Sequence, residues 1–278
     1  MRADLHVHST ASDGSSSPSG LVALALELGV DVLSITDHDS VAGVAEAAAA
    51  ARGTALTLVP GVELSAVVGT RSVHVLGYFV DTRDERLLAH LFDLRAARLR
   101  RAEAIVASLV AAGIPLSMDD VLRLSCDGAV GRAHVARALV DSRVVHSTDE
   151  AFARLIGRGA PHYVPRDVRT PAEVVGIIRD AGGLAVLAHP GVSKADDIIR
   201  PLAADGLAGI EAFHGEHTPQ QCERYASMAR DLRLLVTGGT DYHGPAFSYK
   251  DLGSVAVPAE AVEAFLAAGA AARGADAR

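Results

Sequence analysis

The sequence predicts an α/β protein with a parallel sheet, open or closed into a barrel, carrying a helical insertion in its middle. Three observations predict it. Short β-like runs alternate with Ala- and Leu-rich helical stretches toward both ends of the chain. The middle is helical in character and has no strand. His, Asp and Glu recur where strand-like runs meet loops, as expected of α/β proteins that assemble sites at the carboxyl ends of parallel strands.

Asp4–His8 reads as the first strand. A helix follows at Ser19–Leu28, with Pro18 near its start and Gly29 at its end. Val30–Thr36 is a second strand and Val41–Arg52 a second helix. Leu56–Val59 and Val73–Phe79 are further strands. Glu85–Ala112 is one long helical stretch ended by Gly113 and Pro115, and helix-like pieces continue to about Gly159. Residues 83–169 are therefore expected to be a helical insertion or subdomain between the α/β parts 1–82 and 170–278. The alternation then resumes, with strands at Leu184–Ala188, Gly209–Ala212 and Leu234–Thr237. Helices are expected at Pro171–Ala181, Thr218–Asp231 and Ala259–Ala272.

Hydrophobic residues make up 49% of 278, enough for a sizeable core, and Trp is absent, so that core must rest on Ala, Val and Leu. A net charge of −8 argues against sequence-blind duplex binding, which runs on basic surface. The charge is uneven. Residues 83–169 hold 14 Lys and Arg against 11 Asp and Glu, a net of +3, while the remainder holds 12 against 23, a net of −11. An acidic frame suits cations and an Arg-rich insert suits an anionic substrate. Two cysteines, Cys126 and Cys222, imply no disulfide framework. No apolar signal segment opens the chain and no apolar run reaches the roughly 20 residues a spanning helix needs, so cytoplasmic residence is expected.

The chemistry begins at Asp4-Leu5-His6-Val7-His8. On a strand, positions i and i+2 share a face, so His6 and His8 can grip one ion. Further segments reinforce this reading: Asp13-Gly14, Asp37-His38-Asp39, Pro60-Gly61-Val62-Glu63, Ala188-His189-Pro190-Gly191 and Thr240-Asp241-Tyr242-His243-Gly244. His74 opens a strand and is the exception in position. A single His at a strand end is ordinarily a hydrogen-bonded structural residue. Six His, two Asp and one Glu in such places would leave many unpaired polar groups unless they share a partner. Imidazole and carboxylate without thiolate suit Zn²⁺, Mn²⁺ or Fe²⁺. Nine ligands suffice for two or three ions if a carboxylate bridges, and Glu63 is the candidate bridge.

In order along the chain, His6-Val7-His8-Ser9, Asp13-Gly14, Ile35-Thr36-Asp37-His38-Asp39, Pro60-Gly61-Val62-Glu63-Leu64-Ser65, Val73-His74-Val75-Leu76-Gly77-Tyr78, Ala188-His189-Pro190 and Gly239-Thr240-Asp241-Tyr242-His243-Gly244 resemble the PHP family, named for polymerase and histidinol phosphatase. The resemblance runs from residue 4 to about 250. It implies a distorted (β/α)7 barrel with a metal cluster, manganese favoured, at the carboxyl ends of its strands. It implies one ion on His6, His8, Glu63 and Asp241, a second on Asp13, His38 and His243, and a third on Glu63, His74 and His189. The insert with Gly131-Arg132-Ala133-His134 and the later Glu211-Ala212-Phe213-His214 look like the small stand-alone branch. That branch includes phosphatases of nucleoside 3′,5′-bisphosphates and enzymes that trim short RNA from its 5′ end.

The resemblance implies a phosphoesterase in which clustered divalent ions generate hydroxide and clamp phosphate oxygens. The preferred substrate is a nucleoside 3′,5′-bisphosphate losing its 3′-phosphate; a short 5′-phosphorylated oligoribonucleotide is the alternative. No protein nucleophile is called for. Arg132 is the candidate for the second phosphate, since its planar fork suits bidentate contact, and His134 is placed to assist. His214 and His217 are candidates to contact substrate or protonate the leaving group. Asp37 and Asp39 flank a ligand and are expected to support rather than bind metal. His90, His146 and His162 are expected at the surface. Two readings compete from other classes. A non-catalytic metal-binding module should have lost ligands. An amidohydrolase-like enzyme would want a carbamylated lysine, and the only lysines are Lys194 and Lys250.

Overall fold

The computed structural model describes residues 1–125, 129–165, 169–245 and 250–275. Seven strands form one sheet in sequence order: β1 (Ala3–Val7), β2 (Val32–Ile35), β3 (Thr57–Val68), β4 (Arg71–Tyr78), β5 (Leu184–Leu187), β6 (Gly209–His214) and β7 (Leu235–Gly239). Val7 pairs in parallel with Tyr242, just past β7, and the His8 N–H donates to the Tyr242 carbonyl at 2.8 Å. The first and last strands thus meet, and the sheet curls into a nearly closed barrel.

β1, β2 and β3 run parallel, as do β5, β6 and β7, but β4 is antiparallel to both neighbours. This corrects the expectation of a uniformly parallel sheet. Only Gly69 and Thr70 separate β3 from β4, too few for a crossover helix, and Gly69 at φ 60° takes the left-handed conformation of a tight turn. β3 is also longer than Leu56–Val59. Pro60 is its last residue paired to β2, and Gly61–Val68 pairs with β4 instead. Glu63 therefore lies inside a strand, not after one.

Helices cover the outside. α1 (Pro18–Glu27) is capped by the Ser17 hydroxyl, which accepts from Gly20 N, with Pro18 in its first turn. α2 (Val44–Ala51) packs beside it. β1 and β2 are buried along their whole length, as strands covered on both faces must be.

Between β4 and the next barrel helix lie α3 (Glu85–Ala111), α4 (Met118–Ser125), α5 (Arg132–Asp141), α6 (Thr148–Ala151) and a π turn at Phe152–Ile156. These carry a core of their own, with Ile105, Leu109, Val135 and Leu139 at its centre. α3 is shared: Leu87, Leu91 and Leu94 join the barrel core, while Ala102, Ile105, Val106 and Leu109 join the second one.

The remaining helices are α7 (Pro171–Asp180), α8 (Pro190–Ser193), α9 (Asp196–Ala204), α10 (Pro219–Leu232) and α11 (Ala259–Ala275). α7 and α10 open with reciprocal caps, Thr170 with Glu173 and Thr218 with Gln221, each followed by proline. Cys222 is half-buried with a free thiol; Cys126 lies outside the described residues. No helix among the described residues is long and apolar enough to cross a membrane.

Candidate metal centre

The carboxyl ends of β1, β2, β5, β6 and β7 converge with the middle of β3 and the beginning of β4. Because β4 is antiparallel, its first residues lie at the carboxyl ends of its parallel neighbours. That explains why His74, at a strand start, belongs with the others.

Glu63 is the hub. Its Oε1 faces His74 Nδ1 at 2.8 Å, His189 Nε2 at 3.2 Å and His6 Nε2 at 3.5 Å. Its Oε2 faces His38 Nδ1 at 2.8 Å and His8 Nε2 at 3.3 Å. Asp241 Oδ1 lies 3.1 Å from His8 Nε2 and 3.3 Å from His6 Nε2. Asp13 Oδ1 lies 3.3 Å from His243 Nε2, and Asp13 Oδ2 lies 4.0 Å from His38 Nε2. All nine residues expected to form the cluster are thus brought together.

The donor atoms sort into sets in which every atom lies within 4.8 Å of the others. Such sets are His6, His8 and Glu63; His6, His189 and Asp241; His8, Asp13, His38 and His243; and His38, Glu63 and His74. Nε2 of His6 and His8, Nδ1 of His38 and His74, Oε2 of Glu63 and Oδ1 of Asp13 are buried with no hydrogen-bond partner. Several approach one another closely without hydrogen-bond geometry. Buried polar atoms of this kind are costly unless a shared partner satisfies them. Divalent cations fit this donor set of imidazole and carboxylate.

The electrostatics agree. Burial would raise the Glu63 carboxyl, but His38, His74 and His6 hold it well below the ordinary carboxylate range. Burial pushes His74 down to about 4. Burial would also lower His243, yet Asp13 and Asp241 lift it to about 9. In the absence of cations the carboxylates are therefore ionised, His74 is neutral and ready to ligate, and His243 carries a proton that a binding cation must displace.

The local backbone is built for this convergence. Asp39, His189 and Asp241 have φ of 51°, 26° and 54°, unusual for residues other than glycine. Gly239 lets β7 approach β1; a Cβ there would sit 2.5 Å from His6 Cβ. Asp37 binds no ligand directly: it accepts from Ser9 N at 2.8 Å, Ser9 Oγ at 2.6 Å and Ser12 Oγ at 2.6 Å, fixing the loop that carries Asp13.

Three contributors were not foreseen. Glu211 is fully buried beneath the cluster, accepting from His6 Nδ1 at 2.9 Å and from His189 N at 2.8 Å. Arg98, from α3, pairs with Asp39 and donates to Ser65 Oγ at 2.8 Å. Arg137, from α5, donates to the Asp13 carbonyl. Glu211 sat two residues beyond a strand start in the sequence, and the inward face of β6 was its only signal. The two arginines had none, because their partners lie 59 and 124 positions away.

Arg132 lines a cavity of about 140 Å³ with Arg98 and Arg101, against Asp13, His38 and His74. Its guanidinium lies 5.4 Å from the Phe152 ring centroid. Burial, then Arg132, lowers Arg101 to about 10. A second cavity of about 180 Å³ lies on the other side of Ala133 and Phe152, against His214, Asp241 and His243.

Two expectations need correction. His134 lines neither cavity; it is 1% exposed, and its Nδ1 accepts from Gly131 N at 3.0 Å, closing the first turn of α5. His217 uses both nitrogens on backbone, Nδ1 donating to the Ala212 carbonyl at 2.9 Å and Nε2 accepting from Gly191 N at 3.1 Å, so it has no proton to give a leaving group. His214 fits better. Its Nδ1 accepts from Glu216 N at 3.1 Å, which leaves the neutral ring's proton on Nε2, 3.6 Å from Asp241 Oδ2. Of the histidines expected at the surface, His146 is exposed, but His90 is only half-buried and His162 shares a hydrogen with Ser108 Oγ at 2.8 Å.

The PHP domain profile matches residues 4–109. The chain is 37% identical over 257 residues to the 3′,5′-nucleoside bisphosphate phosphatase of Chromobacterium violaceum, covering 90% of each chain. It is 35% identical over 256 residues to the 5′-3′ exoribonuclease Rnm of Escherichia coli, covering 87% of this chain and 85% of that one. A solved structure of a candidate metal-dependent phosphoesterase from Bifidobacterium adolescentis superposes with a TM-score of 0.88 at 34% identity over 95% of both chains. The chain belongs to the PHP family of metal-dependent phosphoesterases, hydrolases of phosphoric esters.

Proposed function

We propose that this enzyme removes the 3′-phosphate of nucleoside 3′,5′-bisphosphates. One observation carries the reading: a single cavity is lined both by Asp13, His38 and His74 and by Arg98, Arg101 and Arg132. A lining that combines metal-binding residues with arginines suits a small molecule with two phosphates, one to be hydrolysed and one to be held.

His6, His8, Glu63 and Asp241 would hold one divalent ion; Asp13, His38 and His243 a second; Glu63, His74 and His189 a third. We favour manganese and two or three ions. When bound, such ions lower the pKa of water and offset charge on the reacting phosphate. Glu63 presents Oε1 to His6, His74 and His189 and Oε2 to His8 and His38, which supports its role as the bridge.

Arg132 would anchor the 5′-phosphate, oriented by stacking on Phe152. His214 Nε2–H is the candidate to protonate the leaving 3′-oxygen. Residues 83–169 would act as an insertion in the barrel of 1–82 and 170–278, capping the substrate, since Arg98, Arg101, Arg132 and Phe152 all come from it.

A second reading, 5′→3′ trimming of short 5′-phosphorylated RNA, uses the same geometry, because it too cleaves a 3′-side phosphoester beside a 5′-phosphate. The name of the Escherichia coli relative favours retaining it. Phosphate release from adenosine 3′,5′-bisphosphate with Mn²⁺ tests the main reading. Release is expected, with a fall of at least about 100-fold in kcat/KM for Arg132→Ala, as when two charge-assisted hydrogen bonds are lost. An Arg132→Ala enzyme as active as the parent overturns the anchor, and no release from the parent overturns the substrate.

A further inference from the structure

The arginine-walled cavity does not end at Arg132. Ser72, Arg101 and Arg132 also line a wider groove of about 470 Å³ that leads away from the metal centre. The far part of this groove is formed by Arg71 from the start of β4, Arg158 from beyond the π turn, and Lys194 at the end of α8, with Tyr163 on its wall.

Among the described residues, five cationic side chains line the groove and no carboxylate does, in a chain of net charge −8. Arg71 is held by Asp197 at 2.6 Å, outside the groove lining. Among the described residues, Arg101, Arg132, Arg158 and Lys194 meet no carboxylate within ion-pair distance. Arg101 donates to the Val164 carbonyl and Arg158 to Thr70 Oγ1, both uncharged. Arg101 and Arg132 are largely desolvated, and burial lowers both. Such a row of uncompensated cations raises a positive field that an anion of matching length would relieve.

We propose that this groove binds a 5′-polyphosphate extension, so that the enzyme accepts nucleoside 3′-phosphates whose 5′ end bears two or three phosphates. The inference rests on the proposed hydrolysis at the 3′-phosphate with Arg132 on the first 5′-phosphate. The second and third phosphates then continue past Arg101 and Arg132 toward Arg158 and Lys194. Charge density favours this occupant over an RNA strand. A triphosphate carries several charges within a few bonds, and several cations line this one groove. A strand spaces one charge per nucleotide and relies on aromatic faces for its bases; among the described residues Tyr163 is the one aromatic residue of the groove. The reaction is unchanged: the oxygen of water joins the 3′-phosphorus, the bond from that phosphorus to the ribose 3′-oxygen breaks, and a proton ends on that oxygen.

The test compares adenosine 3′,5′-bisphosphate with its 5′-diphosphate and 5′-triphosphate counterparts, in the parent and in Arg158→Gln/Lys194→Gln. The parent should hydrolyse the 5′-triphosphate form with kcat/KM at least equal to that of the bisphosphate. The double variant should raise KM for the triphosphate form about tenfold, as loss of a charge-assisted contact would. Its KM for the bisphosphate should stay within about twofold of the parent's. A parent that processes the bisphosphate but acts on the triphosphate form at under a tenth of that rate overturns the inference and leaves the main reading intact. A parent inert on all three overturns the main reading. A double variant impaired on 5′-monophosphorylated oligoribonucleotides but not on the polyphosphates overturns the inference in favour of a strand tract.

Discussion

Arg98 and Asp39 form a buried ion pair that joins α3 to the loop carrying His38. Asp39 also accepts from Ser65 N at 2.9 Å and Ser65 Oγ at 3.0 Å, so one carboxylate ties together the segments bearing His38 and Glu63. Arg137 does the same for Asp13 through its carbonyl, and Ala129 N donates to the Ala11 carbonyl at 3.2 Å. The helices between β4 and β5 therefore hold the loops that bear Asp13 and His38.

Removing one partner of a buried pair strands the other charge, at roughly 3–5 kcal/mol. Arg98→Ala should lower stability to denaturant by about that much. Arg98→Met/Asp39→Leu, which removes both charges, should recover part of it. A single variant with the parent's midpoint would show that the pair does not bear on stability.

Glu211 sets His6 from below and also holds the backbone N–H of His189. Residues that orient a metal-binding histidine are commonly worth about 10–100-fold in metal affinity. Glu211→Gln should weaken Mn²⁺ binding in that range when measured by competition with a chelator. Unchanged affinity would reduce Glu211 to a packing residue.

The unpaired donors and acceptors of the centre imply that cation-free protein is less stable. A ligand that binds the native state alone at 100 times its Kd adds about 2.7 kcal/mol. Thermal unfolding after chelation should therefore shift down and recover when Mn²⁺ is restored. A melting temperature indifferent to both steps would argue against the metal centre.

His134 supplies a pH-dependent signal from outside the centre. Burial, reinforced by Arg137 and Arg98, holds it down to about 4, against roughly 6.5 in an unfolded chain. The folded pKa is depressed, so its contribution is fully present above about pH 6.5. It is lost progressively as pH falls toward 4, because the unfolded state then binds the extra proton. The shift corresponds to at most about 3 kcal/mol. His134→Gln, which keeps an acceptor for Gly131 N, should flatten the stability slope across that window. Parallel slopes for variant and parent would remove His134 as its source.

Much of the centre was legible because ligands at strand ends obey the two-residue period of strands. His6-x-His8 declares a shared face; Asp241 and His243 were found by residue type just past a strand, though Asp241 turns out of the strand at φ 54°. Glu63 and His74 were found by type, but their setting was misread. A hairpin between them depends on two turn residues, Gly69 and Thr70, whose weight in the pattern is small beside the surrounding α/β rhythm. Arg98, Arg137 and Glu211 were invisible for another reason: each acts through a partner distant in sequence, and no local spacing encodes that. His217 shows the converse. Its residue type suits proton transfer, but two backbone contacts decide its role.

The most direct test of the central claim is anomalous diffraction from crystals grown with Mn²⁺. The account predicts manganese peaks within about 2.5 Å of His6 Nε2, His8 Nε2, Glu63 and Asp241, and between Asp13, His38 and His243. Crystals of active enzyme with no such peak at either place would contradict it.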